Sequence, residues 1–196
     1  MMKKRVTDAG ELHFSPLTPE HWGDLVRLFG QHGATGGCWC MWWRITRAQF
    51  ERNGNEGNRR AFKSLVDQGE VPGILAYRGS DPVGWCSVAR REHFGALERS
   101  PVLRRVDDRP VWAIVCFFVR PEEQNQGIAA ALLQAAVDYV RGQGGERVEA
   151  YPKILGGGRL PPGSIFMGTP GLYEKAGFKV VGNPSRSRLI MRLELD

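Results

Sequence analysis

Six consecutive residues, Gln124-Asn125-Gln126-Gly127-Ile128-Ala129, have the types and order needed to hold a phosphate. A glycine and small residues at the start of a helix let backbone amides face outward. The unpaired N–H groups and the positive end of the helix dipole then favour an anion. A second glycine-rich stretch, Gly156 to Gly158, lacks the lysine and serine or threonine of a nucleotide-binding loop and reads as a flexible connection. Cys38-x-Cys40, with His21 and His32 upstream, invites a zinc site. Its spacing is not that of a zinc finger and no second Cys or His pair follows, so no metal is expected. Gly36 to Arg44 holds Trp39, Trp42, Trp43 and Met41. That segment reads equally as an aromatic pocket for a ligand side chain or as a cover for the core.

The phosphate turn needs a strand before it and a helix after it, and both are legible. Val111 to Val119 is nine residues, all apolar, and reads as a strand buried on both faces. Arg120 and Pro121 end it, because proline cannot donate to a sheet ladder. A helix begins near Gly127, with Ile128, Leu132, Ala136 and Val140 at one-turn spacing and Gln134, Asp138 and Arg141 on the opposite face. Upstream, Glu11 to Leu17 reads as a first strand, and Thr18-Pro19-Glu20 starts a helix that stops near Gly30 to Gly33. Thr46 to Gln68 is expected to be helical at its ends with a turn-like middle, Arg52 to Asn58. Gly73 to Arg78 and Val83 to Arg90 make a hairpin, and Glu92 to Pro110 is a long connection of weak periodicity. Arg147 to Tyr151 is a strand, Gly171 to Ala176 a short helix, and Phe178 to Val181 with Leu189 to Leu195 a closing hairpin. This alternation argues for an α/β fold with a mixed sheet.

At 196 residues the chain suits one domain, and 42% hydrophobic content supports a core. No apolar run is long enough for a membrane span, and MMKKRVTDAGELHF lacks the apolar centre of a signal peptide. Together with four cysteines of no scaffold-like density, this gives an expectation of a cytoplasmic protein. The formal charge of +6, from 27 Lys+Arg against 21 Asp+Glu, is scattered, with no basic helix or nucleic-acid motif. Nucleic acid and membrane are therefore not expected as partners.

Gln124-x-x-Gly127-x-Ala129 after a buried strand ending Val-x-Pro resembles the acyl-CoA signature of the GNAT superfamily of N-acetyltransferases. Leu172-Tyr173-Glu174-Lys175-Ala176-Gly177-Phe178 resembles that family's second motif, in the expected order and at a fitting interval. The resemblance implies one GNAT-like domain over 1–196, a mixed, mostly antiparallel sheet flanked by helices, in which the central strand splays from the next one. It implies acetyl-CoA as cosubstrate, an amine acceptor and direct acyl transfer. Gln124, Asn125, Gln126, Gly127, Ile128 and Ala129 would hold the diphosphate. Backbone N–H groups of Phe118 or Val119 would orient the thioester and its oxyanion. Tyr173 would be the general acid that protonates the leaving thiolate. The Trp39, Trp42 and Trp43 segment falls at the acceptor cleft.

Two features depart from the family. Some members carry a glutamate on the central strand, whereas Val111 to Val119 has no carboxylate. Deprotonating an alkyl amine at neutral pH costs roughly 4 kcal/mol, so a base is sought elsewhere, with Asp108 and Glu149 named from a set that includes Asp107, Glu92 and His93. Seven residues before Tyr173, where an asparagine is frequent, stands Phe166. Cys116 in a buried strand argues against a covalent acyl-enzyme. The expectation is an N-acetyltransferase acting on a primary amine of a small molecule, with a peptide or protein amine, or a non-catalytic acyl-CoA sensor, as alternatives. Fold analogy adds a homodimer paired through the final hairpin.

Overall fold

A computed structural model describes residues 5–7, 10–154 and 166–195. The Gly156 to Gly158 triplet and Arg159 lie outside the described residues. The strands are β1 (Arg5–Thr7), β2 (Gly10–Pro16), β3 (Gly73–Arg78), β4 (Asp81–Arg90), β5 (Trp112–Val119), β6 (Arg147–Ala150), β7 (Lys179–Ser185) and β8 (Arg188–Glu194). They form one sheet in the order β1-β2-β3-β4-β5-β6-β8-β7. Every neighbouring pair is antiparallel except β5 with β6. Helices α1 (Trp22–Phe29), α2 (Arg47–Asp67), α3 (Gly95–Glu98), α4 (Ile128–Gly142) and α5 (Pro170–Lys175) cover it. The expected mixed, mostly antiparallel sheet flanked by helices is what forms.

Both faces of the sheet are covered, which is why β3 and β4 are apolar almost throughout. On one face α4 lays Ile128, Leu132, Ala136 and Val140 against Ile74, Cys86 and Ile114, and α5 adds Tyr173. The approach is close because β4 has Gly84 under the helix. A Cβ there would stand 2.9 Å from Leu132 Cδ1 and 3.1 Å from Ile128 Cγ2. The other face has two covers. Helices α1 and α2 bury Leu25, Phe29, Phe62 and Val66 on Leu75 and Trp85. The connection from Phe94 to Leu103 buries Phe94, Leu97 and Leu103 with Ala113, Val115 and Tyr151.

Several local expectations are corrected. The expected break in the middle of α2 is narrower than the Arg52 to Asn58 stretch: two helical segments within Arg47–Asp67 meet at a kink at the single residue Gly54 (φ 58°, ψ −165°). Tertiary bonds hold this polar stretch, since Asn55 Nδ2 donates to Gln31 O at 2.8 Å and Asn58 Nδ2 to Gly37 O at 3.1 Å. The start is sharp, because Thr46 and Gln49 form a reciprocal capping box. A further strand, β1, pairs with β2. The connection before β5 contains α3 and is tied down by ion pairs, which weak periodicity could not show.

Candidate active site

Helix α4 begins behind Gly127, which is left-handed (φ 79°), two residues after Asn125, also left-handed (φ 62°). No side chain caps this end. Ala131 N–H donates to Gly127 O at 3.0 Å, so the N–H groups of Ile128, Ala129 and Ala130 precede the first helical donor. A Cβ on Gly127 would meet no atom within 4 Å. The space beside Gly127 is open, and the uncapped turn has room for a phosphate. It is held from behind. Gln126 Nε2 donates to Glu122 O at 3.1 Å, while Arg78 Nη2 donates to Glu123 Oε2 at 2.6 Å and to Gln126 Oε1 at 3.3 Å. Gln124 Nε2 reaches back to Val119 O at 3.4 Å.

The strand leading to this turn parts from its neighbour. β6 matches β5 only at Trp112, Ala113 and Ile114, so the edge beyond Ile114 is left open. At the same point β5 bulges against β4: Ser87 stands opposite Cys116 and Val88 opposite Ile114, leaving Val115 extra. The bulge turns Val115 and Cys116 to the same face of the sheet. Arg120 N–H donates to Val83 O on the β4 side, whereas Phe117 N–H donates to Phe166 O at 2.6 Å on the open side. Alternation then turns the Val119 N–H toward the open edge and the Phe118 N–H toward β4. Of the two amides expected to orient a thioester, geometry favours Val119.

Tyr173 packs on the other side of this edge. It is fully buried, contacts Phe117 and Phe178, and donates its hydroxyl to Met167 O at 2.9 Å. Burial pushes its phenol well above the usual value, so it holds its proton at neutral pH, as an acid must.

Facing Cys116 is a cavity of about 280 Å³ at the seam between the two covers. Its walls are Phe29, Trp42, Trp43, Phe50, Phe118 and Phe166, with Cys38, Cys40 and Cys116 between them. The tryptophans divide. Trp42 and Trp43 line the cavity. Trp39 is buried in the α1–α2 core and donates Nε1 to Asn55 Oδ1 at 2.6 Å, so the core-cover reading describes this ring. The segment is strained, with left-handed Ala34, Trp39 and Cys40 (φ 65°, 41° and 55°). Such backbone persists only where the surroundings impose it, and it clusters at functional sites. The Trp43 Nε1–H is buried without a partner among the described residues. Cys116 is not sealed in the core, as its strand implied, but faces this space.

None of the expected bases lines the cavity. Asp108 is exposed on the connection before β5. Glu149 is buried beneath the sheet with both oxygens engaged. Its Oε1 accepts from Arg192 Nη2 at 2.6 Å and its Oε2 from Tyr151 Oη at 2.9 Å and Arg91 Nη1 at 3.4 Å. Asp107 is bound by Arg192 at 2.6 Å, Glu92 pairs with Arg105 at 3.3 Å, and His93 Nδ1 lies 3.1 Å from Glu70. Sequence reasoning missed the bulge at Val115 and the Phe166 contact, because neither has a local signal. Among the described residues no cluster of His, Cys, Asp and Glu is placed to hold a metal.

An uncapped helix end, a parted strand edge and a cavity across that edge are what the family comparison meets. Residues 39–153, more than half of the chain, match the acetyltransferase (GNAT) family. The chain belongs to the GNAT acetyltransferase family. That match spans β5, the turn and α4 and ends before Tyr173. Solved structures share the fold. The GNAT domain of S. lividans PAT superposes with TM-score 0.58 at 14% identity, covering 99% of this chain and 97% of that one. The PaiA N-acetyltransferase of Thermoplasma acidophilum, solved with coenzyme A, gives 0.53 at 15%, covering 94% and 99%. YncA of Salmonella typhimurium, a putative acetyltransferase solved with acetyl-CoA, gives 0.53 at 15%, covering 94% of each chain. A comparison with curated proteins finds no match.

Proposed function

We propose that this chain is one GNAT domain over residues 1–196 that transfers the acetyl group of acetyl-CoA to a primary amine of a small molecule. The observation that carries it is the uncapped N-terminus of α4, opening beside the edge of β5 that β6 leaves. In this reading the amides of Ile128, Ala129 and Ala130 hold a phosphate, with Gln124 to Gly127 shaping the turn. Acetyl-CoA supplies the acyl group as a thioester. The Val119 N–H orients its carbonyl, and the amine attacks directly from the cavity side. As the C–N bond forms and the C–S bond breaks, Tyr173 Oη gives its proton to the leaving sulfur, and the proton that the acylated nitrogen sheds to solvent is matched by one that restores the phenol. The cavity is small and walled mostly by aromatic rings, which supports a small-molecule acceptor over a peptide. A cytoplasmic location goes with this reading, and the four cysteines are unpaired. So does a homodimer paired along the outer edge of β7, where Val180 and Val181 are exposed; light scattering checks it.

A second reading, a CoA-binding sensor without turnover, draws on one contact. Phe166 O occupies the Phe117 N–H at the open edge, and an acyl carrier arm seated there must displace it. Thermal unfolding with acetyl-CoA, free CoA and ATP, followed by thiol release with amines, separates the cases. A CoA ester at a hundred times its dissociation constant adds about 2.7 kcal/mol, which raises the midpoint by roughly 5–10 °C. A shift with CoA esters but not ATP, with thiol release on adding an amine, is the expected result. A shift without release selects the sensor, and no shift at millimolar ligand removes both.

A further inference from the structure

The cavity across β5 has an unusual lining for an enzyme that acetylates amines. Its side chains are aromatic rings, thiols and small residues, and none of the described lining residues is charged. Segment 155–165, which leads into Phe166, has no Asp or Glu in its sequence. Burial keeps Cys40 protonated, and burial together with the neighbouring Cys40 thiol does the same for Cys38. The charge recorded against the lining is positive: Arg47 stacks its guanidinium 4.6 Å from the Trp42 ring centroid and pairs with Glu51. An alkylammonium entering here would lose its water and find no carboxylate, which is strongly unfavourable. It would also find no base to take its proton, since Glu149 is committed to Arg91, Arg192 and Tyr151.

We propose that the acceptor is an aromatic amine: a planar apolar ring whose amino group is uncharged at neutral pH. The inference rests on the acetyltransferase reading above and narrows its substrate class. Delocalisation of the nitrogen lone pair into the ring keeps such an amine unprotonated, so no general base is needed. The missing carboxylate on β5 and the apolar cavity then have one explanation. Seven aromatic side chains line a volume of about 280 Å³ and offer edges and faces to a flat ring. The size is near the lower end of small-ligand sites, about 300 Å³.

The test uses the whole chain, 4-methoxyaniline, 4-methylaniline and benzylamine, with two readouts. Calorimetric titration without CoA reads binding alone. The two anilines bind and benzylamine does not. Thiol release with acetyl-CoA reads turnover. The anilines react with a kcat/KM that stays flat from about pH 6.5 to 9, because their uncharged fraction does not change. Benzylamine is at least about a hundredfold poorer and gains with rising pH while it titrates. Turnover of benzylamine or another alkylamine in preference to the anilines overturns the aromatic-amine assignment and leaves the acetyltransferase reading standing. So does acetyl-CoA binding with no aniline bound. Absence of acetyl-CoA binding instead strikes the acetyltransferase reading itself.

Discussion

Tyr173 and Gly127 carry the two most exposed claims about single residues. The Tyr173 hydroxyl has a structural partner already, Met167 O at 2.9 Å. Removing it in Tyr173→Phe leaves a buried carbonyl unpaired and costs about 1 kcal/mol, or roughly 2–4 °C of midpoint. If the same proton serves the leaving sulfur, kcat also falls by roughly a hundredfold or more while CoA affinity is kept. Melting, CoA titration and steady-state rates on one variant separate the roles: lost stability with full kcat assigns the tyrosine to packing alone. Gly127 is the reverse case. A Cβ there meets nothing in the protein, so Gly127→Ala pays only the left-handed backbone penalty of about 1–2 kcal/mol. The new methyl group stands where a phosphate would approach the amides. CoA affinity is expected to drop roughly tenfold, about 1.4 kcal/mol, and calorimetry measures it. Unchanged affinity would mean that the phosphate sits elsewhere.

At the scale of elements, legibility follows whether the signal is local. β5 and α4 were readable because a continuous apolar run and a one-turn apolar stripe are set by burial of those residues themselves. The turn between them was readable because Gly127 has a backbone need that only glycine meets cheaply. The base candidates failed to gather at the cavity for a nonlocal reason: Glu149 and Asp107 are held by Arg192, distant in the chain. The bulge that turns Val115 and Cys116 to one face depends on β4 and has no mark in β5. Helix α2 shows the same limit. Its Asn- and Gly-rich middle reads as a turn, yet the residues on either side of Gly54 stay helical, with partners supplied by Gln31, Trp39 and Gly37. The local signal survives only at Gly54, whose φ of 58° with ψ of −165° belongs to a region nearly exclusive to glycine. Gly54→Ala is expected to cost about 1–3 kcal/mol, although its Cβ meets no atom. A urea midpoint equal to wild type would show that the break at Gly54 can be given up for a regular helix.

For the whole molecule, the question is what holds the second cover over the sheet, since the cavity lies at the seam between the two. The connection from Phe94 to Pro110 has few regular hydrogen bonds of its own. Ion pairs bind it instead. Arg91, fully buried, donates to Glu98, to Glu149 and to Leu103 O at 2.6 Å, and Arg192 on β8 bridges Glu149 on β6 to Asp107 at 2.6 Å. Two buried arginines thus share one buried glutamate, and Asp107 completes the pairing at the rim. Hydrogen bonds from Arg192, then from Arg109, hold the Asp107 carboxyl well below the usual aspartate range. A carboxyl with a depressed folded value contributes stability that is fully present above its unfolded value of about 3.9 and is lost as pH falls toward the folded value. Asp107→Asn removes that contribution. Urea midpoints of the two proteins should therefore differ by a constant amount above about pH 5 and draw together progressively as pH falls below about 4. The acid loss should appear first as opening of this cover, with faster hydrogen exchange in 94–106 than in α4. A difference that persists unchanged to about pH 3 would show that Asp107 acts through packing rather than charge. The same opening would loosen the wall around Trp43, so ligand binding in the cavity should weaken over the acid range in which Asp107 takes up its proton.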